Sequence, residues 1–480
     1  MFFRQIVDEK LAQYAYLIGC QATGEAIIID PERDIDRYQM AAAQVGLRLV
    51  AAADTHIHAD YLSGLREFAE AGVKVFASDE GDADWKYEWL NDSSYNFQLL
   101  RHGDVFKIGN IEFKVVHCPG HTPEHLSYLV TDRGGGADAP IGMATGDFVF
   151  VGDLGRPDLL ESAAGVAGAM VPSARTLHQS VLNFLDLDDY IQIWPGHGAG
   201  SACGKALGAV PESTVGYERR FNVAIQAAMR GEEEFVSAIL DGQPEPPMYF
   251  ARMKRDNRSG PNLLGELPVP RTVNADEIAA ITASESVVLD TRLDRTLFMA
   301  GHLPGSLFCP LNKTFNTIAG SFVEETRSLY LIIEKSRLEE AVRDLIRIGL
   351  DRIEGIITPE TFDTYVQSGG ELRQTPHVGL DHVSEFSNDP NAQLLDVRPM
   401  ADYCVSHIPG ANNIPHNRLW VRRDELDSDT RKAVYCQSGA QAASAVALLE
   451  RLGHDVTYIE GDYPTWSSEN ETASGMVQTV

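Results

Sequence analysis

Short apolar runs separated by polar loops fill the first half of the chain and predict a series of β-strands. Several runs are rich in β-branched residues, as in EAIIIDP and IEFKVVHC. We expect strands at 25–31, 47–55, 73–78, 111–118, 125–131 and 190–194, and helices at 174–187 and 216–230. A stretch rich in proline, glycine and charge then predicts a linker at 246–271. Residues 1–245 should therefore form one mixed α/β domain.

The second half of the chain contains two copies of one sequence pattern. A predicted strand ends in Asp-x-Arg at Asp290 and again at Asp396, and His-x-Pro-Gly follows in both copies. A period of about 100 residues is typical of a duplicated domain and not of a solenoid. Strands alternate with helices in each copy, so we expect two α/β domains with parallel sheets, at 272–372 and 377–475.

Composition and charge limit the possible partners and the compartment. Lys and Arg number 40 against 69 Asp and Glu, a net charge of −29, so the basic surface expected of a nucleic-acid-binding or membrane-binding protein is missing. We find no apolar run of 18 residues and no signal-peptide pattern, because Asp8, Glu9 and Lys10 interrupt the first apolar residues. Six scattered cysteines predict free thiols in a reducing compartment, by default the cytoplasm.

Histidine and aspartate cluster directly after several predicted strands. The motifs are THIHADYLSG, PGHTPEH, ATGD and WPGHG, and they supply His56, His58, Asp60, His121, Asp147 and His197. Imidazole and carboxylate together are the ligand set of zinc or non-haem iron. A single histidine is more often an ordinary hydrogen-bonded side chain, but four such clusters in this order predict a metal site.

The motif series H-x-H-x-D, G-H-T, T-G-D and G-H resembles that of the metallo-β-lactamase superfamily over residues 1–245. The resemblance implies an αββα sandwich. THIHADYLSG and TGDFVFVGDLGRPDLL are similar to the persulfide dioxygenase branch in particular. That resemblance implies one iron(II) per chain, held by His56, His121 and Asp147 with three positions left open. It also implies that His58, Asp60 and His197 lie outside the coordination sphere.

Three more residues take their expected roles from this resemblance. Tyr61 stands where many two-metal members have histidine, and a phenol with a pKa of about 10 is a poor ligand, which favours one metal. Arg156 matches a position that binds the carboxylate of the thiol carrier, with a structural salt bridge as the alternative. Cys203 matches a cysteine of dioxygenase–rhodanese fusions and is expected to relay sulfur or to be an inert buried thiol.

In the second copy, Cys436 ends a strand and opens the loop CQSGAQ before a helix. Backbone N–H groups and the positive helix end would stabilise a thiolate or persulfide there, and Gly439 permits the tight turn. With DVR, HIPGA and GDYPTW, this copy resembles a rhodanese domain in which Cys436 carries sulfur and Gly439 and Gln441 contact the substrate. Gln441 stands where active loops often have arginine, so the loop is less cationic. The first copy has Ile332 at the matching position and resembles a rhodanese fold without sulfurtransferase chemistry, as a spacer or docking module.

The combined resemblance implies a two-step reaction. The sulfane sulfur of a low-molecular-weight thiol persulfide is oxidised by O₂ to sulfite, and Cys436 then passes sulfur to sulfite to give thiosulfate. Members are often dimers or tetramers, so a homo-oligomer is expected. A zinc thioester hydrolase of the glyoxalase II type and a non-enzymatic sulfur carrier stay open as alternatives. Tyr61 and the rhodanese-like repeat disfavour the first, and the intact ligand set disfavours the second.

Overall fold

The structure, a computed structural model, describes residues 1–162, 165, 167–205, 207–387 and 389–475. They form two units, Met1–Leu267 with Ile346–Gly349, and Pro268–Leu345 with Leu350–Val480. No helix in the described part of the chain is long and apolar enough to cross a membrane.

The first unit is built on two six-stranded mixed sheets. Its strands are β1 (Phe2–Asp8), β2 (Gln13–Cys20), β3 (Glu25–Ile29), β4 (Arg48–Ala53), β5 (Lys74–Ser78), β6 (Phe97–Leu100), β7 (Val105–Ile108), β8 (Ile111–His117), β9 (Leu126–Asp132), β10 (Gly142–Gly146), β11 (Gln192–Pro195) and β12 (Ser213–Thr214). The first sheet has the order β1 to β6, and the second runs β12-β11-β10-β9-β8-β7. All the strands that the apolar runs predict are present.

Helices cover the outer faces of both sheets. They are α1 (Asp36–Ala43), α2 (Leu65–Glu70), α3 (Leu159–Ser162), α4 (Met170–Phe184), α5 (Val215–Phe221), α6 (Val223–Arg230), α7 (Glu232–Leu240) and α8 (Phe250–Ser259). Alternate residues of β3 serve different cores: Ile27 and Ile29 pack between the sheets, whereas Ile28 packs under the helices. A third core lies between the second sheet and α4, α6 and α7. The unit is therefore the expected αββα sandwich, and burial on both faces explains why strands such as β3 are almost entirely apolar.

Two local predictions need correction. The helix predicted at 216–230 is two helices, because the side chain of Asn222 accepts hydrogen bonds from the N–H groups of Ala224 and Ile225 and starts α6. The linker predicted at 246–271 contains α8, whose Phe250, Met253 and Asn257 are buried. Its charged residues suggested a connector, but they belong to an amphipathic helix with apolar contacts at helical spacing.

The second unit contains two five-stranded parallel sheets of identical order. The strands are β13 (Arg271–Thr272), β14 (Val287–Asp290), β15 (Leu307–Phe308), β16 (Leu329–Ile332), β17 (Ile353–Ile357), β18 (His377–Gly379), β19 (Ala392–Asp396), β20 (Asn412–Asn413), β21 (Arg431–Tyr435) and β22 (Val456–Glu460). The orders β13-β17-β16-β14-β15 and β18-β22-β21-β19-β20 match position for position, as a duplicated domain requires. The helices are α9 (Ile278–Thr282), α10 (Arg295–Ala300), α11 (Phe315–Phe322), α12 (Leu338–Arg347), α13 (Pro359–Gln367), α14 (Val383–Ser387), α15 (Met400–Val405), α16 (Ala440–Arg451) and α17 (Tyr463–Glu469).

Strand register corrects the residue that matches Cys436 in the first copy. Asp290 pairs with Ile332, and Asp396 pairs with Tyr435. Cys436 directly follows Tyr435, so its counterpart is Ile333 and not Ile332. The sequence alignment was one residue off because the two loops differ in length. The chemical conclusion is unchanged, since isoleucine cannot carry sulfur either.

Candidate functional site

Three buried side chains from separate strand ends meet at one edge of the sandwich. His56 follows β4, His121 lies in the loop after β8, and Asp147 directly follows β10. One ligand atom from each lies within 4.8 Å of the other two. The structure thus brings together the three residues that the sequence singles out as metal ligands.

The chemistry of this cluster fits a metal cation. Among the described residues, neither carboxylate oxygen of Asp147 has a hydrogen-bond partner, although both are buried. Burial and neighbouring imidazoles lower the pKa of His56, and burial lowers that of His121, so both rings are neutral. The backbone carbonyl of Arg156 accepts from Nδ1 of His121 at 3.0 Å, which leaves the Nε2 lone pair for a ligand bond. A buried carboxylate without donors beside neutral imidazoles is what a cation would complete.

His58 and Tyr61 are engaged with each other and with Asp30. Nε2 of His58 lies 3.2 Å from Oδ1 of Asp30 and 3.0 Å from the Tyr61 hydroxyl. Burial lowers the pKa of His58, but Asp30 and its hydrogen bond outweigh burial and raise the pKa to about 9. Tyr61 is fully buried, and the side chain of Gln13 donates to its hydroxyl at 3.3 Å. These contacts hold both side chains in a hydrogen-bond network beside the cluster.

His197, Asp60 and Cys203 form a second buried group next to the first. Nε2 of His197 lies 3.1 Å from Oδ2 of Asp60 and 3.5 Å from Oδ1 of Asp147. Candidate ligand atoms of His197, Asp60 and Cys203 lie within 4.8 Å of one another. Burial raises the pKa of the Cys203 thiol to about 12. The thiol is therefore protonated at neutral pH.

Arg156 makes a buried bidentate ion pair inside the protein. Its Nε and Nη2 atoms donate to the carboxylate of Asp158 at 3.0 and 2.6 Å, and Nη1 donates to the carbonyl of Ala202 at 3.0 Å. Three of the five guanidinium N–H groups are thus used within the protein. Arg156 thus forms the structural salt bridge that was the alternative to ligand binding. Binding of a thiol carrier by Arg156 stays a prediction.

Sequence reasoning missed two buried residues of the PGHTPEH motif. The backbone N–H of Asp147 donates to Nε2 of His125 at 3.1 Å, and the His125 ring stacks on His56 at 5.0 Å. Oε1 of Glu124 accepts from the N–H of Ile57 at 2.7 Å, and burial raises the pKa of Glu124 to about 7. The second histidine of PGHTPEH was the signal that could have identified His125.

Asn257 of α8 holds the turn between the histidines and Tyr61. Its amide donates to the backbone carbonyls of His58 and Tyr61 at 2.8 and 2.7 Å, and its Oδ1 accepts from the N–H of Ser63 at 2.9 Å. The residue lies almost 200 positions away from this turn, and no local pattern marks it. It satisfies three buried backbone groups at once.

Cys436 lies at the predicted place, between β21 and α16. It is 2% exposed, and the N–H of Ala442 lies 3.3 Å from its Sγ. Gly439, with φ of +87°, directly precedes the first residue of α16. A Cβ at Gly439 would lie 2.3 Å from the Tyr458 hydroxyl oxygen, so glycine is required both by φ and by space. Gln441 is half-buried on the first turn of α16.

Comparison with known proteins matches both parts of the chain. The family model of the metallo-β-lactamase superfamily matches residues 9–197, and that of the rhodanese-like domain matches residues 380–469. The mitochondrial persulfide dioxygenase of Bos taurus is 28% identical over 269 residues, which are 54% of this chain and 89% of that protein. A hydroxyacylglutathione hydrolase of Haemophilus influenzae is 27% identical over 210 residues, 41% of this chain and 85% of its own. A crystal structure described as a metallo-β-lactamase from Staphylococcus aureus subsp. aureus COL is 39% identical, with a TM-score of 0.66 over 75% of this chain and 99% of its own.

Proposed function

Because this chain belongs to the metallo-β-lactamase superfamily and ends in a rhodanese-like domain, we propose that it is an iron-dependent persulfide dioxygenase coupled to sulfur transfer. The observation that carries the proposal is the buried group of His56, His121 and Asp147, with two neutral imidazoles and an unsatisfied carboxylate. Two histidines and one carboxylate suit non-haem iron(II). Similarity to the persulfide dioxygenase of Bos taurus supports the choice of reaction.

In the first step, one persulfide, one O₂ and one water give one thiol, one sulfite and two protons. Iron(II), one per chain, supplies the means of activating oxygen when it is bound by His56, His121 and Asp147. The Arg156 carbonyl fixes the ring of His121, and Thr55, 2.9 Å from Nδ1 of His56, fixes the other ring. We propose that the carboxylate of the thiol carrier accepts hydrogen bonds from the two N–H groups of Arg156 that do not bond to Asp158 or Ala202.

In the second step, the thiolate of Cys436 attacks the terminal sulfur of a second persulfide and releases the thiol. The sulfur lone pair of sulfite then attacks the outer sulfur of the Cys436 persulfide. A new S–S bond forms, the Cys436–sulfur bond breaks, and thiosulfate leaves while the thiolate is regenerated. The N–H of Ala442 and the N-terminus of α16 stabilise that thiolate as it forms.

The substrates are a low-molecular-weight thiol persulfide, O₂ and sulfite. We propose the cytoplasm as the compartment, because the six cysteines are all free thiols. A homo-oligomeric assembly, and a sulfur relay through Cys203, stay predictions.

A zinc thioester hydrolase is the second candidate, because the chain resembles a hydroxyacylglutathione hydrolase. A two-metal site of that kind needs further imidazole ligands. In this chain one such position is a tyrosine, and another histidine already bonds to a carboxylate. Tyr61 replaces an imidazole, and its hydroxyl is hydrogen-bonded to His58. His58 itself is paired with Asp30. Both contacts favour one metal over two.

Oxygen uptake with glutathione persulfide, combined with product analysis, tests the proposal. Wild-type protein made in iron-replete cells should consume oxygen and release thiosulfate. Cys436→Ser should consume oxygen at the wild-type rate but release sulfite, because a serine hydroxyl cannot carry sulfane sulfur. Cys404→Ser, in the same domain but outside the loop, is the matched control and should release thiosulfate. Sulfite must be trapped early, since it also reacts with persulfide without enzyme.

Other results would select a different function. Two tightly bound zinc ions per chain with thioester hydrolysis would establish the second candidate in its place. Loss of oxygen uptake in Cys436→Ser would mean that Cys436 delivers substrate to the metal, and the proposed order of steps would be wrong.

A further inference from the structure

The sulfur-carrier loop has no cation of its own, although the ligands proposed for it are anions. Residues 437–441 read Gln-Ser-Gly-Ala-Gln and contain no charged side chain. Persulfide, sulfite and thiosulfate all carry negative charge near neutral pH. Helix and backbone N–H groups supply partial positive charge, but no full charge in the loop attracts a dianion from solvent.

An arginine from the first copy reaches this loop. Arg295 is the first residue of α10, and its Nε lies 3.3 Å from the position that a Cβ of Gly439 would take. Its Nη2 lies 3.4 Å from Oε1 of Glu460, at the end of β22. The Arg295 side chain is 35% exposed, so its guanidinium is open to solvent and to a ligand.

The hydroxyl of Tyr458 lies beside Gly439, where the Arg295 side chain also reaches. This hydroxyl donates to the backbone carbonyl of Gly439 at 3.2 Å. Burial raises the pKa of Tyr458, the charge of Arg295 lowers it, and Cys436 raises it. The Tyr458 hydroxyl and Nε of Arg295 thus both lie next to Gly439, three residues after Cys436.

Buried contacts hold the first copy against α16. They therefore fix the backbone position from which the Arg295 side chain extends. Nε2 of His302 lies 2.9 Å from Oε2 of Glu450, and both side chains are buried. Nη1 and Nη2 of Arg451 donate to the backbone carbonyls of Gly305 and Ser286 at 2.8 and 3.0 Å. Contacts of this kind position a side chain reproducibly.

We propose that Arg295 of the first copy is the anion-binding side chain of the Cys436 loop, where it positions the sulfite or thiosulfate oxygens for sulfur transfer. The copy whose own loop lacks a cysteine thereby completes the site of the copy whose loop has one. Glu460 holds the guanidinium beside the loop and partly offsets its charge. This inference rests on the proposed sulfur-carrier role of Cys436.

Two readouts on the full-length protein test it. The first is the KM for thiosulfate in sulfur transfer to cyanide. The second is the ratio of Cys436 alkylation rates with iodoacetate, an anion, and iodoacetamide, a neutral reagent of similar size, followed by peptide mass spectrometry. The variants are Arg295→Gln, Arg295→Lys and Glu460→Gln. The matched control is Lys335→Gln, which removes one exposed positive charge from the first copy's own loop.

Arg295→Gln should raise the KM about tenfold and lower the iodoacetate-to-iodoacetamide ratio about fivefold, with kcat and the iodoacetamide rate little changed. Arg295→Lys should recover most of both losses, and Glu460→Gln should shift both in the opposite direction. Lys335→Gln should match wild type. An unchanged alkylation ratio in Arg295→Gln would overturn the inference, as would an equal loss in Lys335→Gln. Absence of sulfur transfer in the wild type, with the ratio still dependent on Arg295, would instead refute the sulfur-carrier role and leave the anion site standing.

Discussion

Two glycines at opposite ends of α16 allow one substitution to be compared in two environments. Gly439 has φ of +87° at the start of the helix, and Gly453 has φ of +89° just beyond its end. A Cβ at Gly439 would lie 2.3 Å from the hydroxyl oxygen of Tyr458, whereas one at Gly453 would have no described atom within 4 Å. Gly439→Ala and Gly453→Ala therefore share the backbone strain but differ in the steric conflict.

The structure gives the expected size of each effect. Alanine in the left-handed region costs about 1–2 kcal/mol of unfolding free energy at either position. At Gly439 the Tyr458 hydroxyl must also move, which breaks its hydrogen bond to the Gly439 carbonyl and adds about 1 kcal/mol. The displaced loop carries Cys436, so sulfur transfer should fall at least about tenfold in Gly439→Ala, as expected for a misplaced reacting group. Gly453→Ala should stay within about twofold of wild type.

The assay is sulfur transfer from thiosulfate to cyanide, with oxygen uptake on persulfide measured on the same samples. Oxygen uptake should be equal in both variants, because the proposed dioxygenase site lies in the other unit. Urea unfolding, followed on the full chain, gives the difference in stability between the two variants. Equal losses of sulfur transfer in the two variants, or full activity in Gly439→Ala, would refute the reasoning from the Tyr458 contact.

Three further outcomes are expected. His121→Ala should retain less than about a tenth of the wild-type iron by metal analysis and lose oxygen uptake, because it removes one of the three proposed protein ligands. Thiol mapping after persulfide treatment should find sulfur on Cys436 and none on Cys309, which is 0% exposed and outside the loop. Asn257→Ala should lower the unfolding free energy by about 2–3 kcal/mol in urea titration, since three buried backbone groups lose their partners, whereas the exposed Asn183→Ala should cost under about 0.5 kcal/mol.

The strands of the first unit and its candidate ligand cluster were predictable from the sequence because their signals are local, and the motif series carried the resemblance that implies the αββα sandwich. Buried strands such as β3 and β4 are continuous apolar runs, and the candidate ligands directly follow such strands. The identical sheet order of the two rhodanese-like copies agrees with the repeat read from the sequence. Each of these features depends on residues close together in the chain, which is why a pattern could reveal it.

Features that depend on distant contacts were not accessible. Asn257 bonds to a turn almost 200 residues earlier, and Arg295 meets a loop about 140 residues later, so neither has a local signature. The counterpart of Cys436 shifted from Ile332 to Ile333 only when strand register was known. The charged residues of α8 led to the prediction of a linker, because composition alone does not distinguish the solvent-exposed face of a helix from a connecting loop.

The hydrogen bonds of Asn257 set a lower limit on the part of this chain that could be exchanged as the proposed dioxygenase. A piece that ends at residue 245 keeps His56, His121 and Asp147, yet it leaves the carbonyls of His58 and Tyr61 without their buried donor. Water would then have to bond to these carbonyls, and the turn that follows His56 would lose its fixed conformation. Recombination that separates the two proposed activities should therefore preserve the chain to at least Leu267, so that α8 stays with the candidate metal ligands.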